Sequence, residues 1–254
     1  MTPLHHKNYQ TNTLSEILKI VPEGSIVDSY LLFDGALEIA LSKYQRFICA
    51  HTTQYVVYEF WKCLFENPNQ IYNIVTSEHF KFDEQDYEYL QEHWAKYKDQ
   101  FIRSAFFYLL NKCSTTGAIS HGKLDFNKFN ISNLFDLKTF KAPHHMHLVY
   151  DKNIDFIDSL QIETKGNYCL INAGVFSLDY FADGKSYGLD ETRFEHKVLY
   201  QFFSNTDKKT IIIYKFRKQA YDLYSKEAKT LMLIDQYGKQ TDVENAKEIL
   251  IANF

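Results

Sequence analysis

The sequence predicts an α/β fold on a mostly parallel sheet, and three observations carry that expectation. Between residues 25 and 65, strand and helix patterns alternate over short connections, the order that gives parallel strands with right-handed crossovers. Two apolar runs, Tyr168 to Ile171 and Thr210 to Phe216, have the length and composition of buried central strands. Near the end, Thr230 to Ile234 and Glu248 to Ile251 form an antiparallel closing pair.

Taken in order, Thr13 to Ile20 places Leu14, Ile17 and Leu18 on one helical face, and Pro22-Glu23-Gly24 ends it. Ser25 to Tyr30 is the first strand, Asp34-Gly35 a turn, and Ala36 to Ser42 the start of a helix. Arg46 to Ala50 is the second strand. Gln54 to Phe65 is a helix with Val56, Val57, Phe60, Trp61 and Leu64 on its apolar side. Pro68 to Asn111 reads as helical, most strongly from Phe101 to Leu110, and Ser114 to Phe129 as an exposed polar loop. Ile131 to Phe140 begins another helix, with Ser132 or Asn133 as its cap. A short strand follows at His147 to Tyr150. The strand at Tyr168 to Ile171 is expected to turn at Gly174. Asp179 to Gly188 reads as mobile and Thr192 to Ser204 as a helix. No internal repeat is present.

Composition excludes several classes. Only 9 Gly and 4 Pro in 254 residues leave little room for linkers, and 45% hydrophobic content suits one α/β domain with an insertion or two small domains. The 17% aromatic content supplies core packing. A net charge of −4 argues against tight autonomous nucleic-acid binding and leaves room for a local basic groove. Cys49, Cys63, Cys113 and Cys169 stand far apart with no CxxC pair, so neither a zinc ribbon nor a redox motif is expected. No apolar h-region or membrane-length stretch occurs, so no membrane partner and a cytoplasmic location are expected.

Three other clusters read as surface. His144-His145-x-His147 follows Pro143 and is a solvated loop entering a strand, so no metal is expected. Asp151, Asp155 and Asp158 lack the glycine and terminal glutamate of a calcium loop and read as a surface turn and a helix cap. Ser120-His121 has no nucleophile-elbow context. Lys208, Lys209, Lys215, Arg217 and Lys218 bracket the strand at Thr210 to Phe216, as phosphate contacts or as a solubilising surface.

Three stretches, in this order along the chain, resemble the Dam-type adenine DNA methyltransferases. Arg103-Ser104-Ala105-Phe106-Phe107-Tyr108-Leu109-Leu110-Asn111-Lys112 is similar to that family's Arg-x-Ala-x-Phe-x-Tyr-Leu-Asn-Arg helix. Glu248-Ile249-Leu250-Ile251-Ala252-Asn253-Phe254 is similar to its terminal strand, and the spacing of the strands around Asp28, Ala50 and Asn172 also matches. The resemblance implies a Rossmann-like methyltransferase sheet, mostly parallel with an antiparallel C-terminal strand. It further implies residues 1–67 and 145–254 as the methyltransferase-like domain and 68–144 as a helical insert resembling a DNA target-recognition domain.

The functional motifs depart from the family. Tyr9 stands where the opening aromatic would be, without the glycine and lysine that follow it in the family. The loop that lets the backbone approach S-adenosylmethionine matches Asp28 to Ala36, including Asp34 and Gly35, but carries Leu31 and Leu32. His51 and Thr52 occupy the place of the ribose-binding acid. Asn172-Ala173-Gly174-Val175 stands for Asp-Pro-Pro-Tyr, with Phe176 as a shifted candidate for the stacking ring. An asparagine supplies an acceptor oxygen without the negative charge that offsets charge developing on the adenine nitrogen, a loss worth about 10²–10³ in rate. Ser114-Thr115-Thr116-Gly117 replaces a target-loop motif. Lys112, Thr116, Gly117, Lys215 and Arg217 are the DNA-contact candidates.

Two expectations follow. In the first, the chain is a catalytically degenerate methyltransferase-like subunit. It binds no cofactor and pairs with an active methyltransferase, another protein subunit or double-stranded DNA. In the second, it is an active adenine-N6 methyltransferase with unorthodox motifs, using S-adenosylmethionine, Asn172 as acceptor and Phe176 as the stacking wall.

Overall fold

Seven strands form one sheet in the order β3-β2-β1-β4-β5-β7-β6 in a computed structural model that describes residues 2–4, 12–77, 83–115, 117, 119, 122–128, 130–175 and 194–254. The strands are β1 (Ile26–Tyr30), β2 (Phe47–Thr52), β3 (Met146–Tyr150), β4 (Tyr168–Val175), β5 (Lys209–Lys215), β6 (Thr230–Ile234) and β7 (Glu248–Ala252). Pairing is parallel from β3 through β5, and β7 runs antiparallel to both β5 and β6. This is a mixed α/β sheet, mostly parallel with an antiparallel C-terminal strand, as the sequence predicts. The chain leaves β1 for β2 and β3 on one side and places β4 and β5 on the other. The boundary between β1 and β4 is therefore the switch point past which open α/β sheets form their crevice.

Helices cover both faces. One apolar cluster gathers α1 (Leu14–Ile20), α2 (Ala36–Lys43), α3 (Tyr55–Glu66), α4 (Pro68–Val75), α5 (Glu84–His93), α6 (Gln100–Cys113) and α7 (Ile131–Lys138) over Val27, Ile48, Ala50 and Leu170. The other packs α8 (Phe156–Ser159), α9 (His196–Asn205) and α10 (Lys218–Tyr224) over Tyr30, Cys169, Ile171 and Ile212. The described chain between β2 and β3 is helical apart from loops and an isolated bridge between Ser114 and Leu124. Its Phe101, Phe107 and Leu110 join the same cluster as the sheet residues. Side-chain caps start these helices: Asn67 accepts from Gln70 N–H, Asp83 from Asp86 N–H, and Asp99 from Phe101 and Ile102 N–H. Arg103 of α6 forks onto buried Glu59 of α3, so this residue ties α6 to α3.

Several expectations need correction. The helical reading of Pro68 to Asn111 is broken between α4 and α5 and again at residues 97–99, where Asp99 caps a new helix. Asn130, rather than Ser132 or Asn133, caps α7 by accepting from Asn133 N–H. Gly174 does not end β4. Its φ of 67° lies within the strand, and the register against β5 slips there from Asn172↔Ile213 to Gly174↔Tyr214. A glycine in a left-handed conformation inside a strand makes a bulge, which a turn rule misreads as a stop. The basic run conceals α10, which starts at Lys218.

Candidate functional site

The carboxyl ends of β1 and β2 carry the chemistry of the sheet. Register places Asp28 beside Cys49 on one side and Cys169 on the other, so Asp28, Tyr30, Cys49 and His51 share the second face. There His51 stands between two carboxylates. Its Nε2 is 3.5 Å from Asp28 Oδ1, and its Nδ1 lies 3.2 and 3.1 Å from the two carboxylate oxygens of Asp151. All three side chains are buried. The Tyr30 ring stacks on the imidazole at 4.5 Å and 21°, and Phe156 meets Tyr30 edge-on. Thr164 Oγ1 donates to Asp28 Oδ2. Gly166 makes that approach possible, because a Cβ there would lie 1.9 Å from the same oxygen.

The electrostatics follow from this geometry. Burial by itself raises the Asp28 carboxyl, but hydrogen bonds from His51 and Thr164 and the charges of His51 and Lys208 carry it below its ordinary value. Burial by itself lowers the His51 imidazole, and the two carboxylates outweigh it, so the net shift is upward. The two carboxylates thus favour the protonated form of the imidazole they flank. Tyr30 is pushed up by its burial and by the nearby acids, and neither Cys49 nor Cys169 is activated. Burial drives Cys49 upward and Cys169 to about 12.

The surface-turn reading of Asp151 is therefore corrected: it is buried beside the candidate Asp28. It is buried because Asp151 N–H donates to the Thr52 carbonyl (3.0 Å), which extends β3 along β2 and turns the side chain under His51. A carboxylate just past a strand end was the available signal. Gly166 and Thr164 gave no sequence signal. Asp155 does cap a helix, α8, as expected, by accepting from Asp158 N–H at 2.9 Å.

The loop after β1 is filled. Leu31 has φ 65°, a left-handed conformation that glycine adopts freely and a leucine rarely does. Its side chain is buried in the second cluster, and Leu32 and Phe33 are buried in the first. Trp61 closes the loop from below. Its Nε1–H donates to the Phe33 carbonyl at 2.8 Å, and a Cβ on Gly35 would lie 2.5 Å from its ring. Asp34 accepts from Ala36 N–H at 3.1 Å, and Thr52 Oγ1 accepts from Gln54 N–H at 3.2 Å. No more than about 150 Å³ of space, open solvent included, lies among Tyr30, Leu31, His51, Thr52, Asp151 and Phe156. Among the described residues, both of these carboxylates are engaged by His51.

The remaining candidates are scattered. Asn172 is buried and shares the face of Leu170, opposite the face of His51, while Ala173 belongs to the second cluster. Gly174 is the bulge, and Val175 pairs with Lys215. Lys215 in turn opposes Glu248 on β7, whose carboxyl accepts from Thr13 N–H and is pushed by burial to about 7. Arg217 is exposed and precedes α10. Lys112 is half-buried, lowered by burial against the pull of Asp136 and Asp34, and the Gly117 carbonyl accepts from Asn111 Nδ2 at 2.7 Å. Lys208 donates to the Leu160 and Ile162 carbonyls, and Lys209 lies over the Tyr168 and Phe254 rings, so both have structural partners. Tyr9, Thr116, Phe176, His121 and the stretch at 179–188 lie outside the described residues. Among the described residues no group of metal-ligating side chains forms a site, and no helix is long and apolar enough to cross a membrane.

No protein-family model matches the chain, and no curated protein matches its sequence. Among solved structures, it aligns with the methyltransferase subunit of a type I restriction-modification system from Streptococcus thermophilus. The TM-score is 0.37 and the identity 9%, over 99% of this chain and 46% of that one. The chain spans less than half the length of that subunit, and at this similarity no residue role passes from one to the other.

Proposed function

We propose that this chain is a methyltransferase-like protein that transfers no methyl group and serves as a DNA- or partner-binding subunit. The observation that carries the reading is the filled crevice. Leu31 occupies a backbone position suited to glycine, and His51 engages the carboxylates of Asp28 and Asp151. A cofactor that must lay its ribose and methionine across β1 and β2 would have to displace buried leucine and break a buried ion pair, each costing several kcal/mol, on the order of 3–5 for the pair alone. Asn172 adds a second support, since an amide at the acceptor position brings no negative charge.

Calorimetric titration of the full chain with S-adenosylmethionine tests this. No heat of binding is expected, and no transfer of labelled methyl to duplex DNA, with or without a co-encoded methyltransferase whose own activity is subtracted. Stoichiometric uptake of the cofactor would refute the reading. So would methyl transfer that vanishes in Asn172→Ala, which would install the active adenine-N6 enzyme in its place.

A further inference from the structure

At the other end of the sheet, a groove of about 440 Å³ opens between the last turn of α2, the end of α7 and the loop that enters β3. Its size is that of a small-ligand site. Four of its walls carry basic groups, Lys43, Lys141, His144 and His145, against the single carboxylate of Asp136. In a chain of net charge −4, this is a local reversal of sign. Asp136 also acts on half-buried Lys112, so part of its field is spent away from the groove.

The groups stand on a fixed frame. The carbonyl of His145 accepts from Ile48 N–H at 2.7 Å, and its ring is braced edge-on by Phe47 at 4.7 Å. Phe140 forms an apolar wall stacked on Phe65. Buried Ile39 and Ser42 make the floor. At the ends of α2 and α7 the carbonyls of Leu41, Ser42 and Phe135, which would repel an anion, are taken by backbone N–H groups. Tyr44 N–H donates to Leu41 and Ser42, Gln45 N–H to Ser42, and Thr139 N–H to Phe135. Among the described residues neither Lys43 nor Lys141 forms an ion pair, so both charges are available.

We infer that this groove binds a phosphate group, held by Lys43 and Lys141 with the imidazoles of His144 and His145 beside them. Phe140 gives an attached ring or sugar an apolar surface. The site lies at the amino ends of the strands, so it does not depend on the state of the crevice at their carboxyl ends.

The test titrates the full chain with inorganic phosphate, with adenosine monophosphate and with a short duplex of mixed sequence. It compares the native chain, Lys43→Glu/Lys141→Glu, and a Lys226→Glu control of equal charge type on exposed α10-end surface. The expected result is binding of at least one phosphate ligand that weakens about tenfold or more in the double variant and little in the control, as loss of charged hydrogen bonds requires. Preference for the mononucleotide identifies a small-molecule site, and salt-sensitive preference for the duplex identifies a backbone contact. Both lysines are exposed, so an unchanged melting temperature checks that the variant folds. No binding of any probe, or binding that survives the double substitution, overturns the inference.

Discussion

Replacing His51 with leucine removes the cation that two buried carboxylates share. Asp28 and Asp151 lie on either side of the ring with all three side chains no more than 8% exposed, so water does not screen the loss. Removing one member of such a buried pair costs about 3–5 kcal/mol, a large part of a stability of about 5–15 kcal/mol. At about 2–4 °C per kcal/mol for a chain of this size, the melting temperature should fall on the order of 10 °C at pH 7. Loss of the Tyr30 stack adds to the effect in the same direction. A triple variant, His51→Leu with Asp28→Asn and Asp151→Leu, should recover much of the loss, because no buried charge then remains unpaired. The pH dependence carries the same signature. His51 has its folded value raised, so its contribution is complete below the ordinary 6.5 and is lost as pH rises through the higher folded value. His196, lowered to about 4 by burial, acts oppositely but only below 6.5, where it resists protonation. Glu38 and Glu248, raised to about 7 by burial, oppose folding increasingly from 4.5 up to that value and then level off. Asp28, lowered from 3.8, loses its contribution only as pH falls through its depressed value. Stability should therefore decline above pH 6.5, and His51→Leu should flatten the part of that decline above pH 7. Urea unfolding of both proteins across pH 6 to 9 measures it. A midpoint for His51→Leu within error of the native chain at pH 7, with a parallel pH profile, would refute the buried clamp.

Three further outcomes follow from contacts around the same crevice. Leu31→Gly should relieve about 1–2 kcal/mol of left-handed strain yet lose about 2–5 kcal/mol of buried leucine, for a net destabilisation of about 1–3 kcal/mol by chemical denaturation; a gain in stability would show that leucine contributes nothing there. Gly166→Ala should cost about 1–3 kcal/mol, because the new methyl would sit 1.9 Å from Asp28 Oδ2 and push that carboxylate off His51. The telling measurement is its pH profile, which should shift toward that of His51→Leu. Gly35→Ala meets both a φ of 64° and the Trp61 ring at 2.5 Å, so its unfolding midpoint should fall by more than about 1 kcal/mol, with a red-shifted tryptophan emission as the indole is displaced.

Much of the architecture was legible in the residues because burial on one face repeats locally. The short apolar runs at β1, β2 and β5, the helical stripe of α3 and the closing strands β6 and β7 each carry their own signal within about ten residues. Gly174 shows the first limit. A glycine reports a backbone that bends, and only pairing with Ile213 and Tyr214 decides that the bend is a bulge within a continuing strand. Asp151 shows the second. Nothing in its neighbours separates it from the exposed Asp158, because its partner His51 is 100 residues away. The two meet only because β3 lies against β2 and β2 against β1, an order set by how the strands pack rather than by any one of them. Local sequence thus determined which segments would be strands and which would be helices. Sheet order alone decided that a histidine from β2 would neutralise acids from its two neighbours, since Coulomb attraction and desolvation depend on distances that only the assembled sheet defines.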